Sequence, residues 1–240
     1  AGDAAYLYYF RRGSFNKNIS KILSATLLQL SLKKYIAFSE DNTKSKPQVR
    51  INILNSTEQL EPLTEDEKTV LGILKSVTRD TTKEGKIATF TMKEFEKYAK
   101  KHCESFMSKI KSIETDVEKQ QIAMQNYSEE SKKQASKYVG KSTIYIVLGI
   151  ICMSIAPIIG ILLIINAIPY FIMTNKTRQL TDKGLEEKAK WVGLKRYMED
   201  FSLLNEKEVP DLKLWEKYLV FATAFGIADK VLKQLKIRYP

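Results

Sequence analysis

Residues 143–174 read TIYIVLGIICMSIAPIIGILLIINAIPYFIMT, and neither they nor their neighbours Ser142 and Asn175 carry a charged side chain. About eighteen apolar residues suffice for a membrane-spanning helix, and this run is nearly twice as long. As one helix it would extend some 45 Å at about 1.5 Å per residue, against a hydrocarbon core about 30 Å thick. Pro157 and Gly160 fall at its middle, where Ala156-Pro157-Ile158-Ile159-Gly160 can turn the chain. The run therefore predicts two helices, residues 138–156 and 157–174, each barely long enough to cross.

The flanks argue the same way. Lys132, Lys133, Lys137 and Lys141 precede the run, and Lys176, Arg178 and Lys183 follow it. Positive residues mark the cytoplasmic side of a span, so positive charge at both ends calls for an even number of crossings. Lys132, Lys133, Lys137, Lys141, Lys176 and Arg178 are the candidate anchoring residues of a transmembrane helical hairpin. One tilted span and a re-entrant hairpin are the competing readings.

Composition fits a membrane surface. The 39 Lys and Arg outnumber the 28 Asp and Glu for a net charge of +11, and the isoelectric point is about 9.4. Beside anionic lipid each basic residue near the surface is worth about 1 kcal/mol; nucleic acid is the sharper alternative partner. Cys103 and Cys152 are the only cysteines and form no framework, which suits a reducing cytoplasm. The chain begins at Ala1 with no visible signal peptide, and so reads as a portion of something longer.

Before the hairpin, YLYYFRRG at residues 6–13 puts aromatics beside Arg11 and Arg12, a pattern that suits a membrane interface or a strand on a core. Ile22, Leu23, Thr26, Leu27 and Leu30 recur at helical steps over residues 19–35. KKYIAFSED and PQVRINIL then alternate apolar and polar residues around NTKSKP, a short hairpin with a basic turn. Helix followed by basic hairpin is a winged-helix order, which makes Lys44, Lys46 and Arg50 candidate wing contacts; such modules also bind proteins.

Thr64 with Glu67, and then Thr91, are positioned to cap the next two helices. The second carries Phe95, Ala99, His102, Phe106, Ile110, Ile113 and Val117 on one stripe, as a long amphipathic helix or stalk. On that stripe His102 reads as a packed core residue. Beyond the hairpin, Thr181 caps a helix carrying Leu185, Ala189, Val192, Tyr197 and Phe201, and a last helix starts near Asp211. Residues 219–228 of that helix are apolar on all sides but too short to span, so they belong against protein or in the interface. Trp191, Trp215 and Tyr218 fit either headgroup anchors or core aromatics.

The segments LTDKGLEEKAKWVGLKRYMEDFS and LWEKYLVFATAFGIADKVLKQL, with ISKILSATLLQLSLKKYIAF and LTEDEKTVLGIL earlier, resemble the YciQ-like predicted membrane proteins, a domain-of-unknown-function family. Trp215-Glu216-Lys217-Tyr218-Leu219 and Ala224-Phe225-Gly226-Ile227-Ala228 are its most specific parts. The resemblance covers most of the chain but only the carboxyl-terminal half of such proteins, whose signal sequence, extracytoplasmic β-rich domain and first membrane helix have no counterpart here. It implies a bacterial cell-membrane protein with a cytosolic face, and no catalytic residue.

No enzymatic motif emerges. Gly140-Lys141-Ser142-Thr143 ends like a phosphate-binding loop, but Ala135 stands where its first glycine belongs and an apolar run follows. With His102 the sole histidine, a Ser-His-Asp arrangement has little to work with, and neither HExxH nor a nucleophile elbow occurs. The expected architecture is mainly α. Residues 1–90 form a cytosolic winged-helix-like domain, 91–141 a stalk, 142–175 the transmembrane hairpin, and 176–240 helices packing back on the cytosolic part. The expected function is non-enzymatic and without cofactors: a membrane-anchored interaction or assembly module on the cytoplasmic face. Its partners are the anionic leaflet and an unidentified protein or second copy. The alternative is a membrane-tethered nucleic-acid binder.

Overall fold

A computed structural model describes residues 1–10, 15–41, 48–54, 61–81, 89–200 and 212–238. The described chain is mainly helical with one small antiparallel sheet. It forms two compact units, residues 1–119 with 188–240, and residues 120–187.

In the first unit, residues 6–10 of the aromatic amino-terminal stretch are buried helix and its C-cap rather than a strand or an exposed interfacial segment, and Arg11, Arg12 and Gly13 lie outside the described residues. The helix is α1 (Gly2–Tyr9), whose residues are buried except Asp3. Helices α2 (Ile19–Leu32) and α9 (Leu212–Phe225) pack on α1 and on each other. The Tyr8 ring lies 4.7 Å from Phe225, and Tyr9 donates to the Ala224 carbonyl at 2.8 Å. Small Ala222 and Ala224 are fully buried, and this lets α9 sit close. Trp215 is buried, and half-buried Trp191 lies with its ring tilted 5.2 Å from that of Phe221, so Trp215 is a core aromatic and Trp191 packs at its edge.

Strands β1 (Ile36–Asp41) and β2 (Gln48–Ile53) form the expected antiparallel pair, with Phe38 opposite Ile51. A third strand, β3 (Thr89–Thr91), adds to the free edge of β2 after the intervening helix α3 (Glu65–Thr81). Sequence alternation did not signal it because three residues are too few for a period-two pattern. Lys33 Nζ donates to Glu67 Oε2 at 2.8 Å with both side chains buried, pinning the end of α2 to the start of α3.

Thr91 caps α4 (Met92–Lys101) with a complete capping box: Glu94 N donates to Thr91 Oγ1 at 3.3 Å, and Thr91 N donates to Glu94 Oε2 at 2.7 Å. The expected single long helix breaks at His102, whose φ of −115° separates α4 from α5 (Cys103–Ala123). His102 is also not a core residue. Its side chain is 39% exposed, 3.9 Å from Asp80, with its ring against Tyr98. The stripe persists across the break, with Tyr98, Ile110, Ile113 and Val117 buried.

The carboxyl-terminal helix likewise divides. Gly226 takes a φ of +74°, Gly226 N bonds Thr223 O at 3.1 Å and Ile227 N bonds Ala222 O at 2.8 Å. This is the Schellman termination that glycine favours. Helix α10 (Ala228–Arg238) then starts afresh.

The second unit is a helical hairpin. Helix α6 (Glu129–Met153) leads to a turn at Ser154, Ile155 and Ala156, and α7 (Pro157–Thr177) returns antiparallel against it. Pro157 opens α7, where a missing N–H and a fixed φ suit the first helical position. The turn was expected within residues 156–160; the chain instead turns just before Pro157, and Pro157 and Gly160 both belong to α7. Helix α8 (Asp182–Asp200) follows, with Gly184 N donating to Thr181 Oγ1 at 3.1 Å as the expected cap.

Candidate functional site

Three features make the hairpin of α6 and α7 the candidate site: a backbone crossing, an apolar exterior and a polar clasp at its base. The crossing is set by glycine. A Cβ on Gly149 would lie 2.6 Å from Ile164 Cγ1 and 2.9 Å from the Gly160 carbonyl, and one on Gly160 would lie 2.7 Å from the Gly149 carbonyl. Only hydrogen at both positions lets the backbones meet, as small residues do between membrane helices. Ala167 is buried beside this crossing. Toward the base the rings of Tyr145 and Tyr170 stack at 5.4 Å, and Lys141 Nζ lies 5.8 Å from the Tyr170 ring centre.

The exterior is hydrocarbon. On α6, Ile144, Val147, Ile150 and Ile151 are exposed, and on α7, Ile158, Ile161, Ile165, Ile168 and Phe171. Ile155 at the turn is 86% exposed. A soluble monomer rarely shows a contiguous apolar surface above a few hundred Å². Pro157–Thr174 has a mean hydropathy of 2.0 and only 11% of it is buried, opposite to the core helix of a soluble protein. Its 18 residues rise about 27 Å.

By length and composition, that is the one described helix able to cross a membrane. Its partner α6 is longer, at 25 residues against 21, but divided in character. Lys141 stands inside the expected arm 138–156 with Lys137 just before it, and only the part beyond Lys141 is apolar without charge.

The base is tied by a clasp that the sequence did not reveal. Gln125 turns left-handed at φ 60°, and Tyr127 is fully buried, bridged antiparallel to Leu180. Arg178 Nε donates to the Tyr127 hydroxyl at 3.1 Å, and its guanidinium carbon lies 5.7 Å from the Tyr127 ring centre. Thr181 Oγ1 donates to Gln125 O at 2.5 Å and Lys183 Nζ to Met124 O at 2.8 Å. Gln179 N donates to Ser131 Oγ at 3.2 Å. At Gly184 any Cβ would strike the Asn126 carbonyl. Asn126-Tyr127-Ser128 matches only a glycosylation sequon of the kind chance supplies, Arg178-Gln179 carries no motif, and their long-range pairing gives these positions a role.

The sequence-derived anchoring residues thus divide in two. Lys133, Lys137, Lys141 and Lys176 are exposed, Lys133 in an ion pair with Glu129 at 3.1 Å. Lys132 and Arg178 are half-buried, and Arg178 belongs to the clasp. Of the wing residues, Lys44 and Lys46 lie outside the described residues. Arg50 lies on β2 and reaches across the sheet to Thr89 Oγ1 at 3.4 Å. No group of three or more His, Cys, Asp or Glu suited to a metal occurs among the described residues.

A family model described as the carboxyl-terminal domain of a predicted membrane protein, DUF2207, matches residues 4–235. No curated protein and no solved structure matches the chain.

Proposed function

The chain belongs to the DUF2207 predicted membrane protein family through its carboxyl-terminal domain, and from that premise we propose that it is a non-enzymatic, membrane-anchored interaction or assembly module on the cytoplasmic face of a bacterial cell membrane. The α6–α7 hairpin is the anchor. Its exposed apolar exterior above a basic base carries the reading, since burying Ile155, Ile158 and their neighbours in lipid gains about 25 cal/mol for each Å² removed from water.

Both arms enter from one face. The reading is supported by Lys137 and Lys141 at the base of α6 and Lys176 at the base of α7, which favour the anionic cytoplasmic leaflet. Lys141 is about 18 Å from the turn end of α6, short of the full hydrocarbon thickness. Because side chains on a helix lean toward its amino terminus, its stem leans back toward the base and lets the ammonium reach the headgroups. On this reading both Ala1 and the segment after Lys176 lie in the cytoplasm.

The test uses cysteines in place of Lys137 and Lys176 in a chain lacking Cys103 and Cys152. Both are expected to resist an impermeant thiol reagent in intact cells and to react once the membrane is opened. Labelling of one but not the other in intact cells shows a single span and overturns the hairpin anchor.

A further inference from the structure

Two features of α7 lie on the side turned away from α6. Asn166 is exposed; its Nδ2 donates to the Leu162 carbonyl at 3.0 Å, and among the described residues its Oδ1 accepts no hydrogen bond. One turn on, Pro169 lies inside the helix. Lacking an N–H, it leaves the Ile165 carbonyl without its helical donor. Asn166 is about 14 Å from the start of α7 at Pro157 and about 12 Å from Thr174, hence at the middle of a spanning helix. Unsatisfied polar groups at that depth cost several kcal/mol each.

The surrounding face is regular. Ile159, Leu162, Asn166, Pro169 and Met173 follow steps of three, four, three and four, and all are exposed. Gly160, Ile164 and Ala167, which meet α6 or are buried beside it, lie on the other side. Such spacing is the seam of a left-handed helix pair, in which one central asparagine fixes register.

Resting on the membrane reading above, we infer that this seam pairs with the same seam of a second copy, Asn166 against Asn166. A primary amide is self-complementary, offering an N–H donor and a carbonyl acceptor. Two copies inserted with the same orientation place their Asn166 side chains at the same depth, and a two-fold axis along the membrane normal brings them together. The pairing satisfies both Oδ1 atoms with the second Nδ2 hydrogen of each amide, while the first stays on its own Leu162 carbonyl. No unrelated helix is bound to carry an amide at that level.

The test uses the full chain, lacking Cys103 and Cys152, in vesicles of phosphatidylethanolamine and phosphatidylglycerol. Association is read by energy transfer between dyes on cysteines at Ile155. Asn166→Leu is expected to weaken association about threefold to thirtyfold, the range for such bonds in membranes, and Asn166→Gln to recover part of the loss. In a second measurement, cysteine at Leu162 is expected to cross-link between copies while cysteine at Ile168, exposed on another face, does not. Unchanged association with Asn166→Leu, equal cross-linking at both positions, or no energy transfer at high protein density would overturn the pairing. Resistance to alkaline extraction separates the two claims: a monomeric but resistant chain sinks only the pairing, whereas an extractable chain sinks the anchor as well.

Discussion

Tyr9 shows how one buried polar atom couples the first unit to pH. Its hydroxyl is enclosed between α1 and α9 and donates to the Ala224 carbonyl, and burial, with the neighbouring Tyr8, pushes its pKa up to about 12. The folded state therefore holds this proton after an unfolded tyrosine, near 10, has lost it. The contribution is fully present below pH 10 and is lost as pH rises from 10 through about 12. Stability of the wild-type chain is expected to fall more steeply over that window than that of Tyr9→Phe, as followed by thermal melts. At neutral pH the phenylalanine variant is expected to lose about 0.5–1.5 kcal/mol, the usual worth of such a bond. Lys33 and Glu67 make a stronger case. Both are buried, and Glu67 Oε2 also accepts from Thr64 N at 2.9 Å. Lys33→Met strands a buried carboxylate and is expected to cost about 3–5 kcal/mol in denaturant melts, whereas Lys33→Met with Glu67→Leu recovers most of it. A single-mutant loss fully retained in the double mutant would show that the pair is not what matters. The sequence placed Glu67 in a capping role, which it fills in part by accepting from Thr64. It could not show that a lysine more than thirty residues away needs the same carboxylate, because that partnership exists only in the fold.

Among the elements, those with a local cause were legible. Hairpin β1–β2, the Thr91 and Thr181 caps and the turn before Pro157 each follow from residues within a few positions of one another. What escaped has non-local or subtle causes. The breaks at His102 and Gly226 interrupt patterns whose periodicity continues through them, so the apolar stripe hid the joint. Helix α1 looked like an interfacial or strand segment because aromatic residues favour those settings, and only its enclosure by α2 and α9 made it a core helix. The hairpin was legible as two arms, but the clasp at its base was not, nor was the closeness of Gly149 and Gly160. That crossing carries a prediction at this scale. Gly160→Leu cannot fit against the Gly149 carbonyl and Met153, and is expected to force the arms apart. Spin labels at Thr143 and Phe171 are expected to report a longer distance than in wild type, while α-helical circular dichroism is retained. An unchanged distance means the arms are held by their outer contacts instead. The milder Gly140→Leu, where a Cβ meets nothing within 4 Å, serves as the control.

For the whole molecule, the division into two units matters more than either fold. The first unit draws its core from both ends of the sequence, with Tyr8 on Phe225 and Lys188 Nζ on the Phe10 carbonyl at 2.8 Å. Its buried residues, from Leu7 and Ile22 to Val220 and Val231, lie within residues 1–119 and 188–240. The hairpin, by contrast, buries little of its own surface and directs its aliphatic side chains outward. The apolar area left exposed on the hairpin is thus separate in the chain from the apolar area buried in the first unit. A chain in which residues 120–187 are replaced by a flexible Gly-Ser linker removes the first kind and spares the second. Such a chain is expected to stay in the supernatant without detergent, to keep cooperative thermal unfolding, and to show the near-ultraviolet signal of its packed Trp191 and Trp215. Full-length chain is expected in the membrane pellet after alkaline washing. If the shortened chain is instead a compact state without near-ultraviolet signal, the first unit needs the hairpin to complete its packing. The hairpin would then be part of the fold as well as its anchor, and the two jobs that its exposed isoleucines and its buried glycines divide between them would not be separable.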